Sequence, residues 1–143
     1  MIINVRHTGI VVNNLKNQIQ FYESLGFKEF CRDEEEGFFI EKVTGIKGTR
    51  LEWIKMKAAD GFVLELLQYK NDSLEFDGIK APSNKLGCSH IAFTVDNIAV
   101  VCEHIKNKGG SVVNDPVVSP DGKVRVAYCH DPEGVLMEIV ELI

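Results

Sequence analysis

The strongest constraint on this 143-residue chain is that it repeats itself. His7-Thr8-Gly9-Ile10-Val11-Val12-Asn13-Asn14-Leu15 is echoed by His90-Ile91-Ala92-Phe93-Thr94-Val95-Asp96-Asn97-Ile98, and Gly61-Phe62-Val63-Leu64-Glu65-Leu66 by Gly134-Val135-Leu136-Met137-Glu138-Ile139. Each half carries one His and one Glu in matching places. A duplicated fold brings equivalent positions together around a pseudo-twofold axis, so His7, Glu65, His90 and Glu138 form a candidate ligand set for one metal ion.

The pattern around these residues predicts β-α-β-β-β twice. In the first half, strands are expected over Val5–Val12, Phe27–Asp33, Thr49–Lys57 and Phe62–Tyr69. A helix starting at Asn13-Asn14 carries Leu15, Ile19, Tyr22 and Leu25 and stops at Gly26. In the second, strands over Cys88–Val95, Ser111–Val118, Lys123–Cys129 and Gly134–Leu142 accompany a helix capped by Asp96-Asn97 that bears Ile98, Val101, Cys102 and Ile105. The partition is a first module over 1–70, a linker over 71–86 and a second module over 87–143, together one domain. Glu34 to Gly48 has no counterpart in the second half. Apolar residues between its glycines fit either a lid or short helix over a pocket, or a loop covering a sheet edge.

Within a strand, alternate side chains share a face, so Glu65 lies with Val63 and Leu67, Glu138 with Leu136 and Val140, and His90 with Cys88 and Ala92. Both faces are apolar except at the candidate ligands. Burying an unpaired carboxylate costs several kcal/mol, which a shared cation offsets. Two imidazoles and two carboxylates leave an open position on one divalent ion, and such borderline ligands admit Ni, Co, Zn, Mn or Fe. An ion there polarises adjacent substrate oxygens while a carboxylate moves a proton between neighbouring carbons.

The net charge of −5 excludes nucleic acid as a main partner, because phosphate binding needs a concentrated basic surface. No apolar run is long enough to span a bilayer and Met1 to Arg6 lacks the sections of a secretory signal, so no membrane partner and a cytoplasmic location are expected. Cys31, Cys88, Cys102 and Cys129 show no C-x-x-C spacing and read as small buried hydrophobes. His104 and His130 are not repeated and read as solvent-facing or locally hydrogen-bonded. Arg50 and Arg125 read as surface residues that can also hold an anionic group.

The chain resembles the vicinal oxygen chelate superfamily, which includes glyoxalase I, methylmalonyl-CoA epimerase, extradiol dioxygenases and the bleomycin and fosfomycin resistance proteins. The resemblance runs from His7-Thr8-Gly9-Ile10-Val11-Val12 to Asp131-Pro132-Glu133-Gly134-Val135-Leu136-Met137-Glu138. It implies an α+β fold of two tandem βαβββ modules forming a cupped mixed sheet around the metal, commonly in a homodimer acting on a small-molecule substrate.

By position, His7, Glu65, His90 and Glu138 match the His, Glu, His, Glu set of bacterial-type glyoxalase I. That match implies Glu138 as the base and Glu65 as a second candidate, with proton transfer through an enediolate. Methylmalonyl-CoA epimerases generally carry Gln where this chain has Glu65, and extradiol dioxygenases use two His and one Glu. Glutathione-using glyoxalases carry an Arg four residues after the first ligand and an Asn four after the second, where this chain has Val11 and Tyr69. The implied function is a metal-dependent glyoxalase I-like lyase or isomerase acting on a small carbonyl or thiohemiacetal, without those glutathione clamps. Racemisation of an acyl-CoA and non-catalytic binding of a drug or metabolite are the alternatives.

Overall fold

Matching asparagine caps start the two main helices. In the computed structural model, which describes residues 1–70 and 80–143, the helices are α1 (Leu15–Ser24), α2 (Phe38–Thr44) and α3 (Ile98–Asn107). The Asn14 side chain accepts a hydrogen bond from Asn17 N–H and the Asn97 side chain one from Val100 N–H, satisfying donors that a first helical turn leaves unpaired. Gly26 at φ 99° and Gly109 at φ 89° then turn the chain out of α1 and α3 through a conformation that a Cβ disfavours.

The chain divides into two units, Met1–Glu75 and Phe76–Ile143. In the first, strands β1 (Thr8–Val11), β2 (Lys28–Glu36), β3 (Arg50–Lys57) and β4 (Val63–Tyr69) form a mixed sheet in the order β1-β4-β3-β2, with β1 parallel to β4 and the other pairs antiparallel. Helix α1 packs on β4. On the core face Ile54, Met56, Leu64 and Leu66 are fully buried, each worth roughly 1.5–3 kcal/mol of apolar transfer. The opposite face carries Trp53, Lys55, Glu65 and Leu67 in register.

The second unit repeats this plan. Strands β5 (Ile91–Val95), β6 (Ser111–Val112), β7 (Val117–Val118), β8 (Val124–His130) and β9 (Leu136–Leu142) give the order β5-β9-β8-β6, with β7 also on β8 and β5 parallel to β9. The result is a mixed α+β fold of two mixed sheets, as expected.

Several boundaries differ from the sequence reading for physical reasons. β1 and β5 begin at Thr8 and Ile91 rather than Val5 and Cys88, because their only ladder partners among the described residues, β4 and β9, begin at Val63 and Leu136. The expected Ser111–Val118 strand splits in two around Pro116, which has no N–H to give a ladder. β2 runs three residues past Asp33, with Glu36 paired to Arg50 in register.

The buried residues of α1 are Leu15, Gln18, Phe21 and Tyr22, so Ile19 and Leu25 are not its core positions. Cys102 and Cys129 are buried as expected, but Cys31 and Cys88 are exposed, the first on the edge strand β2 and the second ahead of β5. The unrepeated segment forms α2, which packs against β2, buries Ile40 and leaves Phe38, Phe39 and Val43 exposed. The expected linker over 71–86 lies largely outside the described residues.

Candidate metal centre

In the first unit, the parallel ladder sets Gly9 beside Glu65, so His7, two residues earlier, approaches the carboxylate diagonally from the same face. His7 Nε2 lies 3.0 Å from Glu65 Oε2. The antiparallel ladder sets Lys55 on the other flank, with Nζ 3.4 Å from Glu65 Oε1. Lys55 in turn lies over the Trp53 ring at 4.3 Å, whose indole N–H donates to Glu35 Oε1 at 3.0 Å. Glu65 is 9% exposed, and His7 and Lys55 offset its burial from opposite sides.

The second unit builds the same pair by the same register. Ala92 stands beside Glu138, and His90 Nε2 reaches Glu138 Oε2 at 2.9 Å from two residues earlier. The Ser89 hydroxyl lies 2.7 Å from His90 Nδ1, an outer contact of the kind that fixes a ligand imidazole's orientation. Across the β8–β9 ladder from Glu138 stands Tyr128, whose ring meets the His90 imidazole edge-on at 5.3 Å. Among the described residues, Glu138 Oε1 has no hydrogen-bond or ion-pair partner, whereas both oxygens of Glu65 are engaged.

The four residues singled out by sequence thus come as two pairs, one in each unit, and the histidines stand just ahead of their strands rather than inside them. Among the described residues no group of three or more His, Cys, Asp or Glu side chains is gathered to hold an ion. Each pair nonetheless fits two adjacent positions around one. Ligand atoms about 2.1 Å from an ion and at right angles to each other lie about 3 Å apart, which matches both Nε2–O separations. Neutral imidazole and carboxylate suit Zn, Ni, Co, Mn or Fe.

The remaining candidates fall elsewhere. Arg50 pairs with Glu34 and Glu36, and Arg125 with Glu141 at 3.3 Å, so carboxylates already answer both guanidiniums. His130 is buried, and its Nε2 donates to Ala81 O at 2.9 Å, a structural contact. His104 lies in the last turn of α3. Lys55 and Tyr128 escaped the sequence reading. The signal was present, because each precedes its glutamate by ten residues and the two hairpins turn in the same register.

A profile of the Glyoxalase/Bleomycin resistance protein/Dioxygenase superfamily matches residues 4–139. The chain is 31% identical over 137 residues to a lactoylglutathione lyase of Neisseria meningitidis, covering 94% of this chain and 88% of that protein. It is 28% identical to a probable lactoylglutathione lyase of Synechocystis, over 94% and 92% of the two chains. Among solved structures, a glyoxalase family protein from Bacillus cereus superposes with a TM-score of 0.89 at 28% identity, over 100% of this chain and 96% of that one.

Proposed function

Since the chain belongs to the Glyoxalase/Bleomycin resistance protein/Dioxygenase superfamily, we propose that it is a metal-dependent lyase or isomerase of glyoxalase I type. One divalent ion would be held by one His–Glu pair of each kind, His7 with Glu65 and His90 with Glu138. The observation that carries this reading is the pair itself, built twice at 3.0 and 2.9 Å by the same diagonal across a parallel ladder. A bound ion supplies Lewis acidity toward two adjacent substrate oxygens.

The chain's own residues do the rest. Glu138 is the base that takes a proton from the carbon beside the carbonyl and returns it to the neighbouring carbon, because its Oε1 carries no partner among the described residues. Glu65, held by His7 and Lys55, is the fixed partner. Ser89 holds the His90 ring.

The names of the relatives bring the glutathione adduct of a small aldehyde into consideration as substrate. Val11 and Tyr69, where an Arg and an Asn clamp would stand, favour a thiohemiacetal of a different thiol or a simple carbonyl compound. A homodimer accompanies this reading and is read by sedimentation.

The test combines metal titration with solvent exchange. One equivalent of divalent ion should bind, and deuterium from solvent should enter a thiohemiacetal during turnover in a panel of thiols that includes glutathione. Binding of thiohemiacetal without exchange or conversion, unchanged by Glu65→Ala and Glu138→Ala, would sink the reading in favour of a sequestering protein.

A further inference from the structure

The two His–Glu pairs have different neighbours across their antiparallel ladders. Where the second unit has the neutral Tyr128 beside Glu138, the first has the cation Lys55 beside Glu65. Lys55 faces a cavity of about 470 Å³ lined also by His7, Arg6, Phe30, Cys31 and Val63. Among the described residues Arg6 has no ion-pair partner. Two permanent cations therefore line this space, and Glu65, the carboxylate that pairs with Lys55, is already shared with His7.

We propose that Lys55 and Arg6 form an oxyanion subsite in the first unit, so that the substrate carries a carboxylate or phosphate beside its reacting oxygens. The inference rests on the metal reading only for where those reacting oxygens lie. The anion contact itself needs no ion. Lys55 supplies a point charge steadied by the Trp53 ring, and Arg6 supplies the fork that matches two oxygens of one anion. Phe30 and Val63 give the cavity an apolar wall beside the two cations.

Trp53 is the chain's single tryptophan, so its fluorescence reports directly on the neighbouring Lys55. The full chain, stripped of metal so that chelation offers no route, is titrated with glycolate, with inorganic phosphate and with glycolamide as the uncharged counterpart. Saturable quenching or enhancement is expected with an anion and not with glycolamide, weakening as salt is added. Lys55→Met should weaken it about tenfold, the scale of one charge-assisted hydrogen bond, while Lys55→Arg keeps most of it. Arg6→Met lies outside any strand and tests the same contact without disturbing the sheet.

Tighter binding of glycolate assigns a carboxylate arm and tighter binding of phosphate a phosphate arm. A response to glycolamide equal to that of the anions, or anion affinity unchanged in both Lys55→Met and Arg6→Met, overturns the inference. Loss of anion binding in these variants with divalent-ion affinity intact separates this subsite from the metal reading. Failure of the wild-type chain to bind any divalent ion would leave the anion titration standing.

Discussion

Glu65 faces Gly9 across the β1–β4 ladder, and His7, two residues before that glycine, reaches the carboxylate at 3.0 Å. A Cβ placed on Gly9 would meet Leu67 Cδ1 at 3.1 Å and Glu65 Oε2 at 3.9 Å. The second unit carries Ala92 in the same place beside Glu138, so the register tolerates one methyl and little more.

Gly9 and Gly110 should therefore differ in how much alanine costs. At Gly9 the crowding atom is the end of a flexible leucine, and Gly9→Ala should change stability by less than about 1 kcal/mol. At Gly110 a Cβ would lie 2.5 Å from the His130 carbonyl oxygen and 2.7 Å from Ile105 Cγ2. Gly110→Ala should cost roughly 1–3 kcal/mol or more, since backbone cannot step aside. Urea unfolding of the two variants decides the matter; equal costs would contradict it.

The His–Glu pairs make a prediction about metal. His7→Ala and His90→Ala should each lower divalent-ion affinity by at least about 100-fold, and Ser89→Ala by about tenfold, because losing an outer contact already costs 10–100-fold. Calorimetric titration of each variant measures this. An affinity indifferent to His7 but sensitive to His90 would assign the ion to one module alone.

Burial separates the cysteines. Cys102 and Cys129 approach to 4.0 Å between their sulfurs in the core of the second unit, and desolvation pushes the Cys129 thiol up to about 12 and raises that of Cys102. Native protein at pH 8 should therefore expose two fast-reacting thiols, Cys31 and Cys88, and release the other two to reagent only on unfolding. The sign for stability follows. A thiol whose folded value lies above its unfolded one stabilises fully below about pH 9, and that contribution fades as pH rises from about 9 toward about 12. Cys129→Ala should flatten this alkaline loss in chemical denaturation.

Asp131 holds the turn before β9. Its Oδ1 accepts from Glu133 N–H and Val135 N–H, both at 2.9 Å, and the side chain is buried. Asp131→Ala strands those donors and should cost about 2–4 kcal/mol, whereas Asp131→Asn keeps an acceptor and should cost less. Because this turn sets the start of β9, the alanine variant should also weaken divalent-ion binding at His90 and Glu138. Thermal unfolding with and without ion reads both effects.

The duplication, the mixed α+β plan and helix starts at Asn13-Asn14 and Asp96-Asn97 are legible in the sequence, as is the recurrence that singles out His7, Glu65, His90 and Glu138 as candidates, because each depends on local pattern; the structure assigns the capping bonds to Asn14 and Asn97. The sequence also placed both glutamates on the right strand faces, since alternation is a property of a single strand. Only the tertiary structure decided which strands run side by side and where they begin. Those ladders trimmed β1 and β5, so that the histidines sit ahead of the strands, and brought Lys55 to Glu65 and Tyr128 to Glu138. Residues far apart in sequence meet through register, and register is fixed by the turns and by burial of the core face, which no single strand encodes. Exposure of Cys31 follows from the same cause, because only the sheet order makes β2 an edge.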